Sequence, residues 1–179
     1  MTTYISILRG INVGGHRKII MAELRKMYEQ LGFSQVKSYI QSGNVVYESN
    51  QKMSSTELEK LLENSIKETF GHEVPVLIRT SEEWEMAIKA NPFLNEESNT
   101  DKLFITFLSE SPSPELKEEL SSMDFSPDQL KIIDKCVYLY CERKYHETKM
   151  THSLIERKLK VKATARNWKT IMKLKELSH

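Results

Sequence analysis

The chain has 179 residues, of which 39% are hydrophobic and 28% charged, and its formal net charge at pH 7 is +1. This size and composition suit one compact domain, or two small domains that share a core. No stretch approaches the roughly 18 apolar residues of a membrane helix, and residues 1–4 lack the features of a signal peptide. We therefore expect a cytoplasmic protein with no membrane partner.

A strand and a helix flank a glycine-rich connection near the start of the chain, and a hairpin, a helix and a strand follow. These elements are predicted from the spacing of apolar residues, from capping boxes at helix starts and from glycines at helix ends. The resulting order, β-α-β-β-α-β, is the ferredoxin-like arrangement. The predicted elements are a strand at residues 4–8, a helix at 21–31, a hairpin within 35–48, a helix between the capping box at 54–57 and Gly71, and a strand at 74–79.

A similar order follows in the second half, after a short helix and a polar loop. Strand, helix, hairpin and helix occur again, which predicts an internal duplication. The predicted elements are a helix opened by the capping box at residues 80–83, a loop at 91–100, a strand at 103–108, a helix that begins at Pro114 after the cap Ser113, a hairpin within 130–140, a helix at 153–159, and a helix that begins at Arg166 with Thr164 as its N-cap.

These patterns predict an α/β (α+β) fold of two ferredoxin-like βαββα(β) halves. We expect antiparallel or mixed sheets with helices on one face of each sheet. Residues 1–80 form the first half in this interpretation, residues 81–101 form a linker helix and loop, and residues 102–179 form the second half.

The net charge is close to zero, but charge is distributed very unevenly along the chain. Residues 1–53 carry a net charge of +4, residues 54–128 carry −11, and residues 143–175 carry +9. Such a separation of charge can steer an anionic partner to the basic ends. Attraction between a basic tail and acidic helices within the chain explains it equally well, and the sequence leaves both interpretations open.

The most unusual segment is residues 9–18, Arg-Gly-Ile-Asn-Val-Gly-Gly-His-Arg-Lys, which we call the glycine loop. Glycines allow successive backbone N–H groups to surround an anion, and the following helix N-terminus adds positive potential. The spacing fits neither a Walker P-loop nor G-x-G-x-x-G. The alternative is a turn that requires positive φ and has solvated basic side chains. The predicted ligand-binding residues here are Arg9, Asn12, Gly14, Gly15, Arg17 and Lys18.

Two further segments are candidates for the same site. Residues 41–44, Gln-Ser-Gly-Asn, are ordinary turn residues, and we predict a turn alone because a hairpin turn need not lie near the loop after the first strand. Arg166 and Asn167, at the start of the predicted C-terminal helix, are predicted to reach the glycine loop and complete a polar site. Trp168 is predicted to belong to the core.

Other chemistries receive little support from the residues. The ferredoxin-like order is also that of RNA-recognition domains, in which Tyr4 and Tyr47 would stack on bases, but the RNP1 consensus is absent. Cys136 and Cys141 lie in one apolar run, and their odd spacing puts them on opposite faces if that run is a strand, so we expect no disulfide between them. No histidine has a metal-ligand spacing and no carboxylate pair suggests acid–base catalysis, so we predict neither a metal nor another cofactor and identify no catalytic residue.

Three motifs, in this order, give the chain its family resemblance. They are LRGINVGG at residues 8–15, YIQSGNVV at residues 39–46 and ATARNWKT at residues 163–170. Together they resemble the bacterial family called domain of unknown function 1697, over essentially the whole chain. The resemblance implies an α/β fold and implies no activity.

The preferred functional prediction is non-catalytic binding of a phosphate-bearing ligand, either a nucleotide or a nucleic acid, at the glycine loop. An enzyme acting on a phosphorylated small molecule is the alternative, with Arg9, Lys18 and Arg166 stabilising charge. A third alternative is a scaffold protein that pairs through exposed sheet edges. The sequence does not decide whether the chain is an enzyme, and its oligomeric state also stays open.

Overall fold

The computed structural model describes residues 1–179, which form eight strands and six α-helices. None of the helices has the length and apolar character needed to cross a membrane. The strands are β1 (Thr2–Leu8), β2 (Ser34–Tyr39), β3 (Asn44–Ser49), β4 (Val76–Thr80), β5 (Leu103–Leu108), β6 (Gln129–Ile133), β7 (Cys136–Tyr140) and β8 (Ala163–Asn167). The helices are α1 (Met21–Gln30), α2 (Ser55–Phe70), α3 (Ser81–Lys89), α4 (Pro114–Ser121), α5 (His152–Leu159) and α6 (Trp168–Leu177).

The chain divides into two compact units. The first contains Met1–Met86 together with Lys173–His179, and the second contains Ala87–Met172. Each unit has a four-stranded antiparallel sheet, in the order β2-β3-β1-β4 in the first and β6-β7-β5-β8 in the second. This is the ferredoxin-like strand order in both units, so the predicted fold class is confirmed. The predicted segment limits at residues 80, 101 and 102 stay a prediction.

The first unit buries its core between one face of the sheet and the helices α1 and α2. Alternate residues of β1, such as Tyr4 and Leu8, face the helices because successive strand side chains point to opposite faces. The intervening residues Ile5 and Ile7 are also buried, so both faces of β1 are shielded from solvent. The helices contribute Leu24, Met27, Tyr28, Leu58, Leu62 and Ile66 to this core.

The second unit repeats this construction with α4 and α5. Leu120 of α4 and Ile155 of α5 pack against Val137 and Leu139 of β7 in one core cluster. The helix α4 begins as predicted, with Pro114 at its first turn and the Ser113 side chain accepting a hydrogen bond from the Leu116 N–H.

The two units also match in the backbone hydrogen bonds that follow their first strands. In each unit, the last residue of that strand bonds to the hairpin turn, and the next residue bonds to the chain just before the last strand. The matching donors and acceptors are Leu8 N–H to Gly43 C=O (2.7 Å) and Leu108 N–H to Lys135 C=O (2.9 Å), then Arg9 N–H to Pro75 C=O (3.0 Å) and Ser109 N–H to Lys162 C=O (2.9 Å).

Glutamate side chains seal the outer edges of the two sheets. The edge strand β4 donates alternate backbone N–H groups to glutamate side chains, and β8 uses the same device, which removes donors that could pair with another strand. The bonds join Val76 to Glu63 (3.0 Å), Ile78 to Glu59 (2.9 Å), Thr80 to Glu83 (2.9 Å) and Ala163 to Glu156 (2.9 Å).

The C-terminal motif differs from its prediction. The predicted helix start at Arg166 is wrong, because residues 163–167 form β8 and pair with β5. Thr164 is buried within the strand rather than capping a helix. The cap is Asn167, whose Oδ1 accepts a hydrogen bond from the Thr170 N–H at 2.9 Å. Pairing with β5 here overrides the weak strand propensity of small side chains such as Ala163.

Both cysteines are buried and carry free thiols. Burial raises the pKa of the Cys141 thiol to about 12, with a smaller contribution from Asp128. Because only the thiolate is nucleophilic, we expect DTNB at about pH 8 to leave the native thiols unmodified for many minutes. In guanidinium chloride both thiols should react at once, and rapid modification of the native protein would contradict this burial.

Candidate functional site

Three connections of the first unit gather at one end of its sheet, which we call the loop end. The strand β1 is antiparallel to both neighbours, so its final residues lie beside the first residues of β3 and β4: Ile7 pairs with Asn44, and Leu8 pairs with Val76. The loop end therefore contains residues 9–20 after β1, the turn at 40–43 before β3, and the residues that precede β4.

Asn12 joins two of these connections. Its Nδ2 donates hydrogen bonds to the carbonyl of Ile19 (3.0 Å) and to the carbonyl of Gln41 (2.9 Å), and its Oδ1 accepts one from the Ile19 N–H (2.8 Å). The side chain thus closes the connection after β1 on itself and fastens it to the hairpin turn. Asn12 has a φ of 54°, a conformation that asparagine tolerates better than most residues.

Gly43 brings the hairpin turn into close contact with the same connection. Its φ is +82°, and a Cβ at this position would lie 2.6 Å from Leu8 Cβ and 3.0 Å from Ile11 Cδ1. The expectation that this turn need not lie near the loop was wrong, because the antiparallel pairing of β1 with β3 places the two side by side. Asn44 is buried, and its Nδ2 donates to the Tyr39 carbonyl and to Ser42 Oγ, so the motif at 41–44 has a structural role.

The glycine loop folds back on itself as a short arm, residues 12–17, which contains an isolated β-bridge between Val13 and His16. The Asn12 N–H donates to the Arg17 carbonyl (3.1 Å), and the His16 N–H donates to the Val13 carbonyl (3.0 Å). Gly14 and Gly15 form the tip with φ values of 58° and 77°. Two consecutive positive φ angles are typical of a type I′ turn, so these glycines supply the turn conformation.

Exposed basic side chains lie at the end of this arm and immediately after it. Arg17 and Lys18 are both exposed, and Arg17 Nη1 is 3.3 Å from the Arg9 carbonyl, to which it donates. Ile20 is the N-cap residue of α1 and provides no side-chain hydrogen bond. The first N–H groups of α1 thus add their positive potential to that of the two cations.

One carboxylate lies near these cations. Lys67, hydrogen-bonded at 2.7 Å, and to a smaller extent Arg17 hold the pKa of Glu73 below its usual range. Residues 9–20 and 40–43 contain no aspartate or glutamate of their own. Residues 9–20 and 40–43 thus carry only positive formal charge, and Glu73 precedes β4 at the same end of the sheet.

Arg166 and Asn167 belong to β8 of the second unit. Arg166 pairs with Ile105, its Nη1 donates to the Ala165 carbonyl (2.9 Å), and burial lowers the pKa of the guanidinium to about 10. Arg79 of β4 makes the matching bond, from Nη1 to the Ile78 carbonyl (2.8 Å). The predicted role of Arg166 and Asn167 beside the glycine loop stays a prediction.

The two tyrosines considered for base stacking lie in the core of the first unit. Tyr4 and Tyr47 stack on each other with ring centroids 5.6 Å apart, and both contribute to the cluster formed with α1 and α2. Their rings are therefore not available to a nucleic acid. The sequence indicates their burial, because both tyrosines occupy the alternate strand positions whose side chains face the helices.

Comparison with known proteins identifies a family and a fold. The family model described as "Protein of unknown function (DUF1697)" matches residues 1–138, which include the glycine loop and the hairpin turn but not the motif at residues 163–170. The solved structure of the conserved bacterial protein SP0830 from Streptococcus pneumoniae is similar, with a TM-score of 0.79 and 25% sequence identity over 99% of each chain. No curated protein matches. The chain therefore belongs to the DUF1697 family.

Proposed function

We propose that the chain binds a phosphate-bearing ligand, a nucleotide or a nucleic acid, at the loop end, without catalysing a reaction. The observation that carries this proposal is the exposure of Arg17 and Lys18 in the segment just before α1, whose N-cap residue Ile20 provides no side-chain hydrogen bond. Backbone N–H groups of a helix start and flanking cations together favour a bound phosphate.

The matching position in the second unit supports this proposal by contrast. The connection from β5 to α4 spans only residues 109–113, and it ends in Ser113, whose side chain caps the helix. The connection from β1 to α1 spans residues 9–20 and ends in Ile20 without such a cap. Two helices that occupy the same place in their units thus differ in whether their first N–H groups receive a side-chain acceptor.

The residues of the loop end divide into two roles in this proposal. Arg17, Lys18 and the backbone of Gly14 and Gly15 contact the ligand, and Arg9 contributes its charge. Asn12 is a positioning residue, since its amide is engaged by Ile19 and Gln41. No cofactor or metal is required for such binding.

We expect removal of Arg17 and Lys18 to abolish stabilisation by phosphate compounds. In a thermal-shift screen of nucleotides, phosphosugars and short oligonucleotides, a ligand at ten times its Kd should stabilise the native protein by about 1.4 kcal/mol and raise Tm by about 3–6 °C. The double variant Arg17→Ala, Lys18→Ala should lose this shift and keep the Tm of the free protein, because both side chains are exposed.

Lys52→Ala is the matched control. Lys52 is an exposed lysine of the same unit that follows β3, at the opposite end of the sheet from the turn at 40–43. It should retain the full shift. The proposal fails if no phosphate compound shifts the wild-type Tm, or if the control loses the shift together with the double variant.

A further inference from the structure

We infer that the ligand of the loop end is double-helical nucleic acid, which the arm of residues 12–17 enters through a groove. This inference rests on the proposed function and narrows its ligand to one class. The size, charge and apolar character of the exposed surface around the arm each support it.

The shape of the arm suits a macromolecule better than a small ligand. Residues 13–18 are exposed without interruption, so this part of the glycine loop is not enclosed by the rest of the chain. Small-molecule sites in proteins are concave and enclose most of their ligand. A tight turn closed by a single β-bridge between Val13 and His16, in contrast, is narrow enough for the major groove of B-form DNA, which is about 12 Å wide.

Charge favours a polyanion with regularly spaced phosphates. Arg17 and Lys18 lie on the returning side of the arm and immediately after it, and neither residues 9–20 nor residues 40–43 contain a carboxylate. Phosphodiester contacts from such side chains supply most of the affinity of non-specific nucleic-acid binding and make it dependent on salt.

Exposed aliphatic side chains accompany these cations. Val13, Ile20 and Ile40 have exposed fractions of 63%, 64% and 51%. Asn12 holds them in one region, because it bonds to Ile19 and Gln41, the sequence neighbours of Ile20 and Ile40. Aliphatic groups contact thymine methyl groups and sugars in a groove.

The absence of aromatic residues distinguishes between double and single strands. Residues 9–20 and 40–43 contain no phenylalanine, tyrosine or tryptophan. Proteins that bind single strands use such rings as stacking platforms for successive bases. A surface with aliphatic side chains and cations but no phenylalanine, tyrosine or tryptophan therefore favours a duplex over a single strand.

Ile40 has a backbone conformation that is unfavourable for isoleucine. Its φ is +50°, a value that is rare for β-branched residues, and its side chain is half exposed. Asparagine would adopt this conformation at lower cost. Strain in an exposed apolar residue points to a contact made by that side chain with a partner.

Fluorescence anisotropy with a short labelled DNA duplex and each of its separate strands tests the inference. The wild-type chain should bind the duplex more tightly than either strand, and log K should fall with log[salt] with a slope of about −1.8, as expected for two phosphate contacts. Arg17→Ala should reduce the steepness of that slope by about half. Lys52→Ala should leave both affinity and slope unchanged.

Ile40→Asn separates binding from folding. This variant should bind the duplex several-fold more weakly, while its Tm equals or exceeds that of the wild type. Tighter binding of a single strand, an unchanged slope in Arg17→Ala or an unchanged affinity in Ile40→Asn would overturn the inference. Binding to phosphatidylglycerol vesicles without binding to the duplex would assign the surface to a lipid partner and would overturn it too.

The outcomes distinguish failure of this inference from failure of the proposed function. Suppose that a nucleotide or phosphosugar shifts Tm through Arg17 and Lys18 but the protein does not bind the duplex. The proposed phosphate site would then stand, and the inference of a duplex ligand would be refuted. If the protein bound no duplex and no phosphate compound shifted its Tm, both the inference and the proposed function would be refuted.

Discussion

Gly43→Ala is expected to lower the free energy of unfolding by about 3 kcal/mol or more. The new Cβ would lie 2.6 Å from Leu8 Cβ, an atom fixed by its own strand, and φ at this position is +82°. The strand end and the hairpin turn must separate to admit the methyl group. Their separation would also lengthen the bond from the Leu8 N–H to the Gly43 carbonyl, now 2.7 Å.

Gly71→Ala provides the matched control for this prediction. Gly71 has a similar φ of +73°, but nothing lies within 4 Å of the position of its Cβ. Its substitution should cost only the conformational strain, about 1 kcal/mol. Urea denaturation of the two variants measures the difference, and equal losses would show that the close contact at Gly43 has no energetic weight.

Asn12→Ala should destabilise the first unit by about 2–4 kcal/mol. The substitution removes the hydrogen bonds to Ile19 and Gln41 and places alanine at a φ of 54°. The connection after β1 would then lose its attachment to the hairpin turn. We also expect weaker binding of any ligand that depends on the arrangement of Arg17 and Lys18.

Two further substitutions separate the contributions of Asn12. Asn12→Gly removes the hydrogen bonds without the strain of positive φ, so it should lie between the wild type and Asn12→Ala in stability. Asn12→Asp retains the acceptor for the Ile19 N–H but turns an oxygen toward the carbonyls of Ile19 and Gln41. A stability of the aspartate variant equal to that of the wild type would contradict the assigned donor bonds.

The elements of the fold were largely predictable from local patterns. Ser54 and Glu57 form the capping box that the sequence indicated, and Ser113 with Pro114 begins α4 as expected. Strand β5 has the predicted limits, Leu103–Leu108. Such elements depend on residues three or four positions apart, and a sequence pattern displays these directly.

The arrangement of the loop end was not predictable in the same way. The bond from Asn12 to Gln41 spans 29 residues, and the contact of Gly43 with Leu8 depends on the pairing of β1 with β3. Both glycine and asparagine also occur in ordinary turns, so their local pattern gives no sign of a distant partner. The β1–β3 register of the predicted ferredoxin-like sheet was the one available signal.

Strand β8 has the same place in the second sheet that β4 has in the first. Its residues Ala163 and Ala165 have weak strand propensity, and the following helix start made the whole motif resemble a helix. The first half ends in β4, and the same order in the second half predicts a strand at this place. We propose that the matched registers of the two units reflect an internal duplication, in which only the first unit acquired the arm.

Amide chemical-shift mapping tests most directly whether the loop end binds phosphate. Backbone ¹H–¹⁵N spectra are recorded while the protein is titrated with inorganic phosphate and then with a short DNA duplex. We predict that the shifted amides are those of residues 13–22 and 40–44, while residues 109–113 and 134–135, at the matching end of the second unit, do not move. Shifts at the second unit alone, or no shifts at residues 13–22, would contradict the claim.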